Sequence, residues 1–196
     1  MNRREWLKCF SALAMGAVAA PSLLATFDAH AAAQLPGYAP KFFNAPQDQL
    51  VTSVVDIIIP RSDTPGAVDA GVPAFIDQMF TSVYTHEEQQ RYLASLAAFD
   101  RAGGKPYLRL DEKQRKALVS KLHEQALSEP ADSTKASAAN FVLMTKKLAM
   151  LGFFMSEPGC TQVLQYSAVP GAFHADVPLA QAGNGRAWAV ETVLTL

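Results

Sequence analysis

Apolar positions recur at helical rather than strand spacing over most of residues 47–155. Between Gln47 and Ile59, the residues Leu50, Val51, Val54, Val55 and Ile58 share one helical face. Pro60 ends the run, because proline lacks an amide donor and disfavours helix at the residue before it. The β-branched stretch Val54-Val55-Asp56-Ile57-Ile58-Ile59 also suits a strand, but a lone strand would find no partner elsewhere in the chain, so helix is the preferred reading. Residues 61–71 hold the turn formers Ser62, Asp63, Pro65, Gly66 and Gly71 and are expected to form a loop. Asp63 and Asp69 fit no calcium-loop spacing and read as solvated turn acids.

Pro73 opens a second helix whose core face is Phe75, Ile76, Met79, Phe80 and Val83. Thr85 and Glu88 have the spacing of a capping box, in which hydroxyl and carboxylate satisfy each other's backbone amides. The helix they start, with His86 exposed in its first turn, turns Tyr92, Leu93, Leu96 and Phe99 inward and stops at Gly103-Gly104. Asp111 caps a fourth helix carrying Leu118, Leu122 and Ala126, with Val119 and Leu127 beside them and His123 on its charged, solvated side. After a polar connector over 130–137, the longest run extends from Ala138 to about Met155. Phe141, Leu143, Met144, Leu148, Leu151 and Phe154 leave it apolar around most of its circumference, with Lys146 and Lys147 marking one narrow wet face. Such a helix has to be central or covered. The expected fold is all-α, one domain of about five helices followed by a long irregular C-terminal segment.

That last segment loses all period after Glu157 yet keeps its aromatics, and aromatics on irregular backbone are typical of binding surfaces. Phe153, Phe154, Pro158, Tyr166, Phe173 and Trp188 are the candidate partner contacts. For Phe153 and Phe154 the alternative is that they fill the domain's own core.

The N-terminus changes the picture. Asn2-Arg3-Arg4-Glu5-Trp6-Leu7-Lys8 precedes an apolar, small-residue stretch from Cys9 to Ala25 and an Ala29-His30-Ala31 cleavage pattern. Arg3, Arg4, Trp6, Leu7 and Lys8 resemble the twin-arginine export motif, with Trp6 and Asn2 as mild departures. The chain therefore divides into a signal peptide over 1–31 and a helical domain over 32–196, with an extended lead-in over 32–46. An uncleaved leader acting as a membrane anchor is the alternative; Gly16, Pro21 and the cleavage pattern favour removal. Removal takes Cys9 away and leaves Cys160 as the single cysteine, a candidate for an intersubunit disulfide in an oxidising compartment or else an inert small hydrophobe.

Charge and motif searches mostly exclude. The formal net charge of -1, about -2 after cleavage, gives no basic stripe for nucleic acid. No Cys-x-x-Cys-His occurs for haem attachment, and one cysteine cannot hold an iron–sulfur cluster. Gly183-Asn184-Gly185-Arg186 lacks the third glycine of a dinucleotide loop, and no Gly-x-Ser-x-Gly frames a nucleophile. His174 and Asp176 alternate in the C-terminal segment and offer at most a weak metal site.

The leader, the segment Ile58-Ile59-Pro60-Arg61-Ser62-Asp63-Thr64-Pro65-Gly66-Ala67 with Gly71-Val72-Pro73, and Gly152-Phe153-Phe154-Met155-Ser156-Glu157 with Pro170-Gly171 together resemble the gluconate 2-dehydrogenase subunit 3 family. The resemblance implies a non-catalytic small subunit of a membrane-associated, periplasmic sugar or polyol dehydrogenase. It implies as partners a large flavin-dependent catalytic subunit, a multi-haem cytochrome and the twin-arginine translocon. FAD and haem would sit on those partners and no cofactor on this chain. The implied role is to bind, stabilise and escort the folded flavoprotein as an export hitchhiker. An independent periplasmic enzyme working through the His174 region and a stand-alone small-molecule binding protein are the competing classes.

Overall fold

A computed structural model describes residues 38–128, 135–167, 178 and 185–189. Its compact unit starts at Pro40. Among the described residues there are five α-helices and no strand longer than a single bridge.

Helix α1, Ala45–Ile58, settles the helix-or-strand question and begins two residues earlier than the apolar spacing places it. Asn44 is the reason. Its Oδ1 accepts the Gln47 amide at 3.0 Å and the Gln47 side chain accepts the Asn44 amide at 3.0 Å, with Pro46 in the first turn where its missing N–H is harmless. Leu50, Val51, Val54 and Val55 are buried.

Residues 59–71 form a closed loop rather than a solvated one. The Ala67 amide donates to the Ile59 carbonyl at 2.9 Å, which returns the chain to the end of α1 and buries Ala67. Asp69 holds the loop shut: it pairs with Arg61, whose Nε donates at 2.7 Å, and accepts the Gly66 amide at 2.9 Å. This corrects the reading of Asp69 as a solvated acid, while Asp63 is exposed. Gly66 is required by space, since a Cβ there would lie 2.7 Å from the Arg61 backbone nitrogen.

Gly71, at φ 73, turns the chain into α2, Val72–Ser82. This helix buries Val72, Ile76 and Phe80, whereas Val83 falls just past its end and is 62% exposed, outside the core face assigned to it. α2 also carries Asp77, a carboxylate only 2% exposed. It accepts the backbone amides of Lys41, Phe42 and Phe43 at 2.9, 2.9 and 3.0 Å. Three donors on one buried carboxylate compensate its loss of water and anchor the start of the compact unit.

Helix α3, His86–Ala102, begins with the expected capping box: Glu88 accepts the Thr85 amide at 2.8 Å and Thr85 accepts the Glu88 amide at 3.4 Å. Its left-handed stop is Gly104, at φ 74; Gly103 keeps φ -85. A 3-10 turn, Tyr107–Arg109, follows with no signal in the apolar spacing. It buries Tyr107, whose amide donates to Asp100 at 2.9 Å and whose hydroxyl meets Ser53 of α1 at 3.2 Å. Helix α4, Glu112–Ser128, is capped by Asp111, which accepts the Gln114 amide at 2.8 Å. It buries Val119, Leu122 and Ala126, but Leu127 points away and is 67% exposed.

Helix α5, Ala138–Phe154, starts where Ser137 accepts the Asn140 amide at 3.1 Å. It touches each of the other four helices, which meets the expectation set by its apolar circumference. Phe42, Phe80, Tyr92, Phe141, Phe99 and Tyr107 form an unbroken run of ring contacts at 4.2–5.3 Å from the lead-in through α2, α3 and α5 to the 3-10 turn. Tyr92 is fully buried in that run, and its hydroxyl meets Thr145 of α5 at 2.8 Å.

Asp77→Ala strands three amides and should cost about 3 kcal/mol, lowering Tm by roughly 6–12 °C in a thermal melt. Asp69 is held below the ordinary carboxylate range by its bond to Arg61, aided by the Gly66 amide and opposed by partial burial. A depressed folded pKa gives stability that is present above the unfolded value of about 3.9 and lost as pH falls through the lower folded value. Urea midpoints measured from about pH 5 to pH 2.5 should therefore fall less steeply for Asp69→Asn than for the natural chain.

Candidate partner-binding site

Two buried hydroxyl pairs tie helices together inside the domain, Tyr92 with Thr145 and Tyr107 with Ser53. Burial pushes the Tyr92 hydroxyl far above its ordinary range, so it stays protonated against Thr145. Burial likewise raises Tyr107, against the opposing effect of Ser53. His123 is half-buried rather than solvated, and its Nε2 lies 2.8 Å from Lys146 Nζ. Among the described residues no group of three or more His, Cys, Asp or Glu could hold a metal ion, and no helix is long and apolar enough to cross a membrane.

The C-terminal end of α5 is different. Neighbours on a helix point about 100° apart, and here that angle separates core from surface. Phe153 is 3% exposed and belongs to the core cluster, which removes it from the expected partner contacts. Phe154, edge-on to it at 5.3 Å, is 37% exposed. Met150, one turn earlier on the same side of α5, is 38% exposed, and Met155 is 57% exposed. Neither methionine is among the contacts expected from the sequence, although unbranched, polarizable side chains at the end of an apolar helix suit an adaptable contact surface.

Beyond α5 the chain does not become irregular at once. Ser156 Oγ donates to the Phe153 carbonyl at 2.6 Å and accepts the Gly159 amide at 3.1 Å. Pro158, half-buried, leads into a π-helical turn, Gly159–Val163. Gly159 is obligatory there: a Cβ would lie 1.9 Å from the Phe153 carbonyl oxygen. Cys160 sits in this turn, half-buried, with Sγ donating to the Phe154 carbonyl at 3.0 Å.

A single parallel bridge then pairs Gln165 with Trp188, through Gln165 N–H to Ala187 at 2.8 Å and Ala189 N–H to Gln165 at 2.8 Å. It brings Tyr166 and Trp188 onto adjacent stretches, 55% and 43% exposed. Arg186 braces the arrangement by donating to the Gln162 carbonyl at 3.2 Å. Of the other residues singled out by the sequence, Phe173, His174 and Asp176 and the export residues Arg3, Arg4, Trp6, Leu7 and Lys8 lie outside the described residues.

The described residues thus define a small all-α domain with one buried hydrophobic cluster and with exposed aromatics and methionines on α5's last turns and the bridged stretches after it. The chain belongs to the gluconate 2-dehydrogenase subunit 3 family, whose model matches residues 45–171. That span runs from the first residue of α1 through all five helices and the π turn. The family's name marks the chain as a subunit type of a dehydrogenase. No curated protein and no solved structure matches it.

The division between core and surface at the end of α5 predicts opposite stabilities. Phe153→Ala should cost about 3–5 kcal/mol in urea unfolding, whereas Tyr166→Ala should stay within about 0.5 kcal/mol of the natural chain.

Proposed function

We propose that this chain is the non-catalytic small subunit that binds, stabilises and escorts the flavin-bearing catalytic subunit of a periplasmic sugar or polyol dehydrogenase. Membership of the subunit 3 family carries the reading. The exposed Phe154, Met155, Tyr166 and Trp188 support it, because large aromatic and Met side chains left in water are the anchors of protein–protein contacts. In this reading FAD resides on the large subunit and haem on a cytochrome subunit, and the complex is held at the periplasmic face of the membrane. This chain supplies the twin-arginine signal through Arg3, Arg4, Trp6, Leu7 and Lys8. That route moves folded cargo, so a partner without its own leader crosses only while bound.

Cys160 adds a covalent tie in the same proposal. Its thiol and a partner thiol give up two protons and two electrons to a disulfide-generating oxidant of the periplasm, forming one S–S bond. The bond to the Phe154 carbonyl places the sulfur beside the proposed docking residues.

Replacing Arg3 and Arg4 together by lysine tests the escort. The flavin-bearing subunit should then accumulate in the cytoplasm, assayed by dehydrogenase activity and immunoblotting of cell fractions. Normal periplasmic activity in the double variant would contradict the escort role.

A further inference from the structure

The chain is nearly neutral, with a formal net charge of -1, but its charges are not evenly spread. Residues 100–116, which span the last turn of α3, the 3-10 turn and the first turns of α4, hold six cations against three acids. These pieces are fastened into one corner. The Tyr107 amide donates to Asp100 at 2.9 Å, an Arg115 guanidinium N–H donates to the Leu108 carbonyl at 2.6 Å, and Gly104, at φ 74, turns the chain out of α3. Gly103 packs so closely on Leu110 that a Cβ would lie 2.8 Å from its side chain. The cations therefore stand on a fixed frame.

Two of the six are occupied. Lys116 is ion-paired with Glu112 at 2.6 Å, and Arg115 lies over the Tyr107 ring at 5.5 Å. Arg101, Lys105, Arg109 and Lys113 are exposed, and none of them is ion-paired with another described residue. The acids of the corner are engaged elsewhere: Asp100 by the Tyr107 amide, Asp111 by the Gln114 amide at 2.8 Å and Glu112 by Lys116. A fourth acid, Asp56 of α1, acts on Lys116. The four unpaired cations recur every fourth residue across a helix end, a turn and a helix start, so a single exposed corner presents them all.

We propose that this corner is a contact surface for anionic lipid headgroups, with Arg101, Lys105, Arg109 and Lys113 on their phosphates. No exposed large hydrophobic side chain lies among residues 100–116. A protein partner is held mainly by buried aromatic anchors, whereas an anionic lipid surface asks only for several cations within reach of it. The surface uses none of the docking residues and is measured on the isolated chain, so its failure leaves the escort reading standing.

Co-sedimentation of the purified full chain with vesicles tests it, an equal mixture of phosphatidylcholine and phosphatidylglycerol being compared with phosphatidylcholine alone. The leader is common to every variant and cancels in their comparison. The mixed vesicles should bind the natural chain at least about tenfold more tightly than the neutral ones, and added NaCl should erase that gain. Lys105→Gln/Arg109→Gln, with its Tm confirmed unchanged, should bind mixed vesicles about tenfold more weakly. Lys41→Gln/Lys135→Gln, which removes the same charge outside the corner, should lose about twofold or less. Equal binding to neutral vesicles, or equal losses in the two double variants, would overturn the proposal. So would saturable binding of hexaglutamate without binding to mixed vesicles, the result expected of a site for an acidic protein.

Discussion

A helix that is apolar around most of its circumference cannot face water on more than a narrow strip, and α5 imposes that constraint on everything else. Four helices are arranged to cover it, and the aromatic run from Phe42 to Tyr107 passes through it at Phe141. Even its buried hydroxyl, Thr145, is tolerated because the equally buried Tyr92 supplies a partner at 2.8 Å. Where α5 runs out of neighbours, at Phe154 and Met155, its apolar character emerges into solvent.

Two acids fix the parts of the chain that are not helical. Asp77 gathers the amides of Lys41, Phe42 and Phe43, which seats Phe42 and Phe43 against Phe80 at the head of the aromatic run. Asp69 closes residues 59–71 through Arg61 and Gly66. The tight stretch after Ile59 is thus explained by shape: Gly66 has no room for a Cβ, and Gly71 takes a left-handed turn into α2. These are requirements of folding.

The helices are legible in the sequence because their caps are local signals. Thr85 with Glu88, and Asp111, announce α3 and α4 within four residues of sequence, and the structure realises both. Asn44 escapes notice because the apolar period begins only at Leu50, inside the helix that Asn44 starts. Asp77 is illegible for a different reason: an acid on a helix reads as solvated, and its three donors come from residues more than thirty positions earlier. Val83 and Leu127 fit an apolar period but sit in or past a last turn, where the neighbouring helices no longer reach. Phe153 and Phe154 defeat periodicity, since each stands seven residues after one of Lys146 and Lys147 and the narrow wet strip does not separate them. The π turn and the Gln165–Trp188 bridge depend on contacts that no spacing rule encodes.

The proposed docking surface for a flavin-bearing subunit is the C-terminal end of α5 with the bridged stretches after it. Affinity between that subunit and this chain, measured for the natural protein and for a Phe154→Ala/Trp188→Ala variant of confirmed unchanged Tm, tests this most directly. Loss of a central aromatic anchor of this kind should weaken binding by roughly thirtyfold or more. Affinity equal to that of the natural chain would contradict the assignment of the docking surface.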